Sequence, residues 1–553
     1  MKKKNVSRVI ALMAAATMMF GGCGNSAGDA GTASTNDTGA GETAVEISFP
    51  LEETVELTFI TSAEAGTTQE PNERVIFQRL EEETNVHINW TCFASDQFAD
   101  KKNLTLANAK NLPDGLFSAD MSDYDLLRYA KQGVIIPVED LIENYMPNLK
   151  KVLDENPEYK AMITAPDGHI YAFPWIEQLG SGKEAIQTIG GMPFINKKWL
   201  DELGLPVPET TEELKQALLA FKENDMAGDG QTIPMSFIMN GGNEDMGFIL
   251  GAFGEGYGDV PDHIAVTNDK EVIYTAAQEG YKEGLIWMHE LAEAGLIDPE
   301  AYTHDWSTYV AKGKAGRYGL CFTWDCAGVV DNMNDYVPLP ALIGPDGQKN
   351  APRASRSDTS GLQRGRCVLT GACENVELAA AWIDLMYDPQ QSAQNNWGTY
   401  GEEGVANVFE MSESGMLQHL DLTGESQSPW EIRTNQMVGG PLAVLDSYYG
   451  TYVTCPDDAQ YRLDWIKDIY VPDMKGEYVF PNIFMSQEDL DSVNQYTSAL
   501  DSYVNRMKSD FVMNGNIEEN WDEYLNNLEQ YGVNKYLEIL QNNLDTYYAN
   551  LGE

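Results

Sequence analysis

From Val55 onward the chain switches repeatedly between two apolar periods, and this alternation constrains its fold more than any other feature. Val55, Leu57 and Phe59 are apolar at period two, the signature of a strand with one buried face. An amphipathic stretch over 73–83 follows, and then Val86, Ile88 and Trp90 alternate again. Residues 104–109 read as helix, Leu116 and Phe117 as strand, and 124–130 as helix once more. Strand–helix–strand spacing of this kind predicts an α/β layer built on a largely parallel sheet.

At 553 residues the chain exceeds what one hydrophobic core supports, so two or more lobes are expected. A second region starts near Met192. Thr210 and Glu213 have capping-box spacing, and Leu214, Ala217, Leu218 and Phe221 then mark one helical face. Residues 281–294 predict another helix, ended by Gly295, and 377–387 a further one, stopped by Pro389. Residues 336–340 read as an extended piece and 344–347 as a turn. The tail, 490–551, is helical, with Leu525/Leu528 and Leu537/Leu540/Leu544 at helical spacing on either side of Gly532.

Residues 1–22 have a basic head (Lys2, Lys3, Lys4, Arg8), an apolar run over 9–20 and the small pair Gly21-Gly22. These are the parts of a secretory signal, and the run is too short for a bilayer span of roughly 20 residues. The cysteine that follows, Cys23, resembles the lipidated residue of a bacterial lipobox, so palmitate-type anchoring is expected there. The alternative is an ordinary secretory signal with an incidental cysteine. Residues 24–52 are rich in small and acidic residues and poor in large apolar ones. The stretch 23–54 is therefore expected to form a disordered tether reaching roughly 30 Å. No later segment predicts a transmembrane helix.

Charge narrows the partners. Cleavage after Gly22 removes four basic residues and no acidic ones, taking the net charge from −50 to −54. That balance argues against nucleic acid and against adsorption to anionic lipid. Six cysteines remain after Cys23, without zinc spacing, and both disulfides and buried thiols are compatible with export. No Gly-x-Ser-x-Gly elbow, zinc motif or phosphate loop is present, so no enzyme, no cofactor and no ATPase activity are expected.

Several motifs resemble family 1 extracellular solute-binding proteins, most closely the Firmicutes lipoproteins that serve carbohydrate ABC importers. They are Pro147-Asn148-Leu149, Asp167-Gly168-His169-Ile170-Tyr171-Ala172-Phe173-Pro174, Phe194-Ile195-Asn196-Lys197-Lys198-Trp199-Leu200, Leu203-Gly204-Leu205 with Pro208-Glu209-Thr210, Ala294-Gly295-Leu296-Ile297-Asp298-Pro299 and Trp397-Gly398-Thr399-Tyr400-Gly401. The matches run in order from about 55 to 550. The resemblance implies a two-lobed, periplasmic-binding-protein-like (maltose-binding-like) α/β fold with discontinuous lobes and a helical C-terminal region. By that analogy the crossings fall near 175–190, 336 and 375. Lobe 1 then takes 55–178 and 336–375, and lobe 2 takes 179–335 and 376–553. The implied function is a lipid-anchored, extracellular, monomeric receptor that captures an oligosaccharide between its lobes and delivers it to membrane permease subunits. A receptor for a peptide or other nutrient, or a secreted carbohydrate-active enzyme, is the alternative.

Sugars are held by aromatic faces against their C–H patches and by carboxylates, amides and Arg on their hydroxyls. Given the implied crossings, Trp175 with Glu177, Trp324 with Asp325, and Trp397 with Tyr400 are candidate ligand contacts. Trp306 is a further candidate, and Trp430 is not favoured. Each Trp also has a packing alternative. Arg356 and Arg364 are candidate hydroxyl or acid partners, with a local salt bridge as the favoured reading. Asp225, Asp229 and Gln231 partly resemble a calcium loop, but Ala227 replaces an oxygen ligand, and a simple turn is the preferred expectation.

Overall fold

The computed structural model describes residues 47–551, apart from 65–66, 69, 109, 229, 355–360, 423–424 and 428. Cys23, Arg356 and Asp229 therefore lie outside the described residues. The first group of strands is β1 (Val55–Ala63), β2 (Val86–Ala94), β3 (Gly115–Leu116) and β4 (Phe173–Glu177). Then come β5 (Met192–Asn196), β6 (Ile233–Met235), the small hairpin β7 (Ile264–Val266) and β8 (Val272–Tyr274), β9 (Tyr318–Thr323) and β10 (Tyr336–Pro338). The chain closes its strands with β11 (Leu362–Leu369), a second hairpin of β12 (Phe409–Met411) and β13 (Leu417–His419), and β14 (Leu442–Val444).

Two main sheets result, with orders β14-β4-β11-β3-β1-β2 and β10-β5-β9-β6. In the first, β1, β2, β3, β4 and β14 run the same way and β11 opposes them. Their carboxyl ends share one edge. In the second, β5 opposes β9 and β10 while β6 runs with β9, so the start of β5 meets the ends of β6, β9 and β10. The chain passes from Glu177 at the first edge to Met192 at the second, and returns between Ala351 and Leu362. A third passage, from Val444 to the helix Asp457–Trp465, again leaves the first edge. The passages make these two edges the facing walls of a cleft, where α/β sheets hold ligands.

Each sheet has its own core. Phe59, Phe117, Phe173 and Trp382 are buried in the first, and Phe221, Met235, Leu320 and Phe322 in the second. The second core extends to the C-terminal helices Gln487–Asn514, Ile517–Gln530 and Val533–Leu551 through Phe511, Tyr524 and Leu544. The capping box forms with both halves in place, Thr210 Oγ1 accepting from Glu213 N and Glu213 Oε2 accepting from Thr210 N. Among the described residues, no helix is long and apolar enough to cross a membrane.

Three expected boundaries move. β10 pairs with β5, so 336–338 belongs with the second sheet, not the first. The helix Val376–Asp384 buries Trp382 5.9 Å from Phe59, and β14 pairs with β4, so 376 to about 448 joins the first lobe, not the second. The physical reason is the apolar face of that helix (Ala379, Ala380, Trp382, Ile383), which the first core completes. Order also begins before Val55. Phe49 and Leu51 pack on the first core, and Leu51 N donates to Thr84 O at 2.9 Å.

The cysteines Cys92, Cys321, Cys326, Cys367, Cys373 and Cys455 are thiols, none joined to another.

Candidate ligand-binding site

The first wall centres on Glu177, the last residue of β4. Strand alternation puts it on the same face as Trp175, which packs with Leu442 and Trp397 on the cluster beneath β14. Asn396 Nδ2 donates to Glu177 Oε1 at 2.6 Å. Burial pushes the Glu177 carboxyl up to about 7, against the opposing pull of the Asn396 hydrogen bond and the Arg433 charge. The Tyr449 hydroxyl, whose phenol is also raised by burial and by Glu177, is buried without a hydrogen-bond partner. A half-buried Trp, a near-neutral carboxyl, an amide and an unpaired phenol thus meet where the first passage begins.

The second wall centres on Trp324, directly after β9. The Arg462 guanidinium lies 3.6 Å above its ring, and Arg462 Nη1 donates to the Trp324 carbonyl at 2.9 Å. Burial pulls Arg462 down to about 9. Trp306 opens the helix Trp306–Lys314, which Gly316 turns back into β9, so its first turn lies at the carboxyl end of that strand. Tyr309 fixes this register, its hydroxyl donating to Phe322 O at 2.9 Å. Trp306 is 48% exposed there.

Glu244, which no sequence motif signals, completes this wall. Burial pushes it up to about 7, and Thr323 Oγ1 lies 3.4 Å from its Oε1. Behind the walls, Gly190 and Gly191 of the first passage, Asn243, Arg353 of the second passage and Lys508 line a cavity of about 400 Å3. Lys508 is buried and paired to Asp245 at 2.7 Å and Asp259 at 3.1 Å.

The remaining candidates fall elsewhere. Trp397 ends the helix Pro389–Trp397, is 7% exposed and packs edge-on against Phe409 and His419, a core position and not a cleft surface. Tyr400 lies under the Arg79 guanidinium, 4.6 Å from its ring centre, and its carbonyl accepts from Arg79. Asp325 is exposed and caps the short helix Cys326–Val329 through Ala327 N. Arg364 is buried in a salt bridge to Asp123 at 2.6 Å, the favoured of its two readings. In the calcium-like loop, Asp225 spends its two oxygens on Gly230 N and Thr232 Oγ1, each at 2.8 Å, which closes the turn internally. Gln231 sits in that turn.

Two lobes, three passages and a cleft walled by aromatic rings and neutral-leaning carboxyls define a solute receptor of the interlobe-capture class. Residues 64–393 match the model of bacterial extracellular solute-binding proteins, and the chain belongs to that family. It is a binding protein, not an enzyme. It is 47% identical over 554 residues to the fructooligosaccharide ABC transporter substrate-binding protein FusA of Streptococcus pneumoniae, covering all of both chains. The structure of that protein with kestose matches at TM-score 0.86 and 49% identity, over 90% of this chain and all of that one. An EF-hand mutant of it with fructo-nystose matches at TM-score 0.85, with the same identity and coverage.

Proposed function

We propose that this protein is the capture subunit of an ABC importer for fructosyl oligosaccharides, held at the outer membrane face by a lipid on Cys23. The observation that carries the reading is the pairing of walls: Trp175 with Glu177 and Asn396 opposite Trp324 with Glu244. Rings of this kind cover the apolar faces of a sugar, and a carboxyl near neutrality both donates to and accepts from its hydroxyls. The full-length similarity to a fructooligosaccharide receptor supplies the ligand class.

Mechanistically, the open form admits sugar, and the lobes close as both walls engage it. Ligand shifts the open–closed equilibrium only by its differential affinity for the two. The closed form docks on permease subunits, which supply the ATP-driven step. A lipid at Cys23 keeps that docking local, since a tether of roughly 30 Å confines the receptor near its permease.

Titration calorimetry of the purified mature chain with kestose, followed by recovery of the sugar, tests capture. Saturable binding with unchanged kestose supports it, and hydrolysed sugar or no heat refutes it. Fractionation of cells carrying Cys23→Ser tests the anchor: the protein moves from membrane to medium with kestose binding intact.

A further inference from the structure

Resting on that reading, we infer that Lys508, on the C-terminal helix Gln487–Asn514, is the positioning residue that holds Glu244 on the cleft wall. The loop that carries Glu244 cannot anchor itself. Met239 and Met246 are buried, and the six residues between them, Asn-Gly-Gly-Asn-Glu-Asp, have no apolar side chain to pack into the core. The adjacent glycines Gly241 and Gly242 make this stretch conformationally free in the unfolded chain. Its shape in the fold therefore rests on polar contacts.

Asp245, next in the chain to Glu244, supplies those contacts. Its Oδ2 accepts from Asn240 N at 2.6 Å and its Oδ1 from Gly247 N at 3.0 Å, so one carboxylate closes the loop at both ends. Lys508 Nζ donates to the same Oδ1 at 2.7 Å and to Asp259 Oδ2 at 3.1 Å. Asp259 is held in turn, its Oδ1 lying 2.8 Å from Thr275 Oγ1 and 2.7 Å from His263 Nδ1. Its N–H donates to Gly247 O at 3.0 Å, just past the loop. The fit against the first passage is close: a Cβ on Gly191 would fall 1.5 Å from the Asn243 carbonyl oxygen.

This pin stays charged. Against the desolvation of burial, Asp245 and Asp259 hold the Lys508 ammonium above its ordinary value, while His263 and Lys508 hold Asp259 below its own. Charge-assisted hydrogen bonds of this kind are short and strong. They fix Asp245 and, with it, the adjoining Glu244, whose carbonyl also accepts from Ile238 N at 2.9 Å. A sugar meeting a loose loop would have to order it on binding, and that ordering subtracts from affinity. With Lys508 in place the Glu244 carboxyl is ordered before the sugar arrives.

A double-mutant cycle read by kestose calorimetry on the full chain provides the test. Lys508→Met is titrated alone and in Glu244→Ala and Trp175→Ala backgrounds, at a temperature where unfolding curves show each variant folded. Alone, it weakens kestose binding about tenfold. In the Glu244→Ala background the loss shrinks to less than about twofold, because the residue it positions is gone, and in Trp175→Ala it stays about tenfold. Should Lys508→Met not fold, Lys508→Met/Asp245→Asn removes one charge of each sign together and is read in the same backgrounds with the same expectation. Losses of equal size in all three backgrounds make Lys508 a general support of the fold. That result, or normal kestose affinity in the folded lysine variant or in Glu244→Ala, overturns this inference while capture stands. If the wild type binds no kestose, the proposed function fails, and this inference with it.

Discussion

The guanidinium of Arg462 covers one face of Trp324 at 3.6 Å and at the same time holds that residue's carbonyl at 2.9 Å. Its other donors reach the carbonyls of Ile186, Ile189 and Gly190 in the first passage. One buried side chain from the third passage thus fixes the first passage and the cleft ring together.

Replacing Arg462 should therefore cost stability and ligand affinity at once. Arg462→Ala strands several buried carbonyls, and a loss of about 3 kcal/mol is expected in denaturant unfolding. Arg462→Lys should fail as well, because a point charge cannot serve four carbonyls or cover an indole as a planar fork does. A lysine variant with wild-type unfolding and kestose affinity would sink this account.

The tryptophans should separate by role. Trp175→Ala and Trp324→Ala are expected to weaken kestose binding about tenfold or more, with modest effects on folding. Trp397→Ala should do the reverse, destabilising by about 3–5 kcal/mol because it empties a buried site against Phe409 and His419. Parallel calorimetry and thermal unfolding decide the matter. Equal affinity losses in all three variants would erase the distinction between wall and core.

Glu177 and Glu244 give the protein a pH signature. Each carboxyl is raised by burial from its ordinary value to about 7. Between about 4.5 and 7 the folded state holds a proton that the unfolded state has lost. Stability from this source is complete below the unfolded value and falls as pH rises through the folded one, by up to about 3 kcal/mol for the enclosed Glu177 and by less for Glu244, whose charge water screens. Melting temperatures measured from pH 5 to 8 should decline over that window. Glu177→Gln should flatten part of the decline, and a profile unchanged by the substitution would count against a neutral Glu177.

Legibility from sequence divides along physical lines. Periodicity and capping chemistry act over a few residues, so Val55, Leu57 and Phe59 announced β1, and Thr210 with Glu213 announced a helix start. Trp175 and Trp324 could be singled out because the resemblance placed a crossing at Trp175 and a strand ending at the cleft just before Trp324. Glu244 and Arg462 were hidden, since their roles come from partners 79 to 276 residues away. Lobe membership after 375 failed for the same reason: the burial of Trp382 against Phe59 is decided by tertiary packing, and no local pattern encodes it.

The motifs that carried the resemblance prove to be scaffold. In the Asp-Gly-His-Ile-Tyr run, Asp167 accepts from His169 N and Tyr171 Oη, and Gly168 takes a φ of +90° that a side chain resists. In Pro147-Asn148-Leu149, the helix Pro147–Glu155 has no side-chain cap of its own at its start. Asp384, from 235 residues downstream, supplies one: its oxygens accept from Asn148 N at 3.0 Å and Leu149 N at 2.9 Å. Burial raises that carboxyl to about 6 despite these donors. Asp384→Ala should thus cost about 1–3 kcal/mol by leaving the buried N–H of Leu149 and the half-buried N–H of Asn148 unmet. Asp384→Asn should recover part of that, since its carbonyl oxygen still accepts from one of the two N–H groups while its NH2 faces the other, and nothing buried has to ionise. Kestose affinity should be unchanged in both at a temperature where they are folded. Equilibrium unfolding of the pair reads the cap, and an asparagine variant as unstable as the alanine one would show that the charge, not the hydrogen bonds, holds the helix.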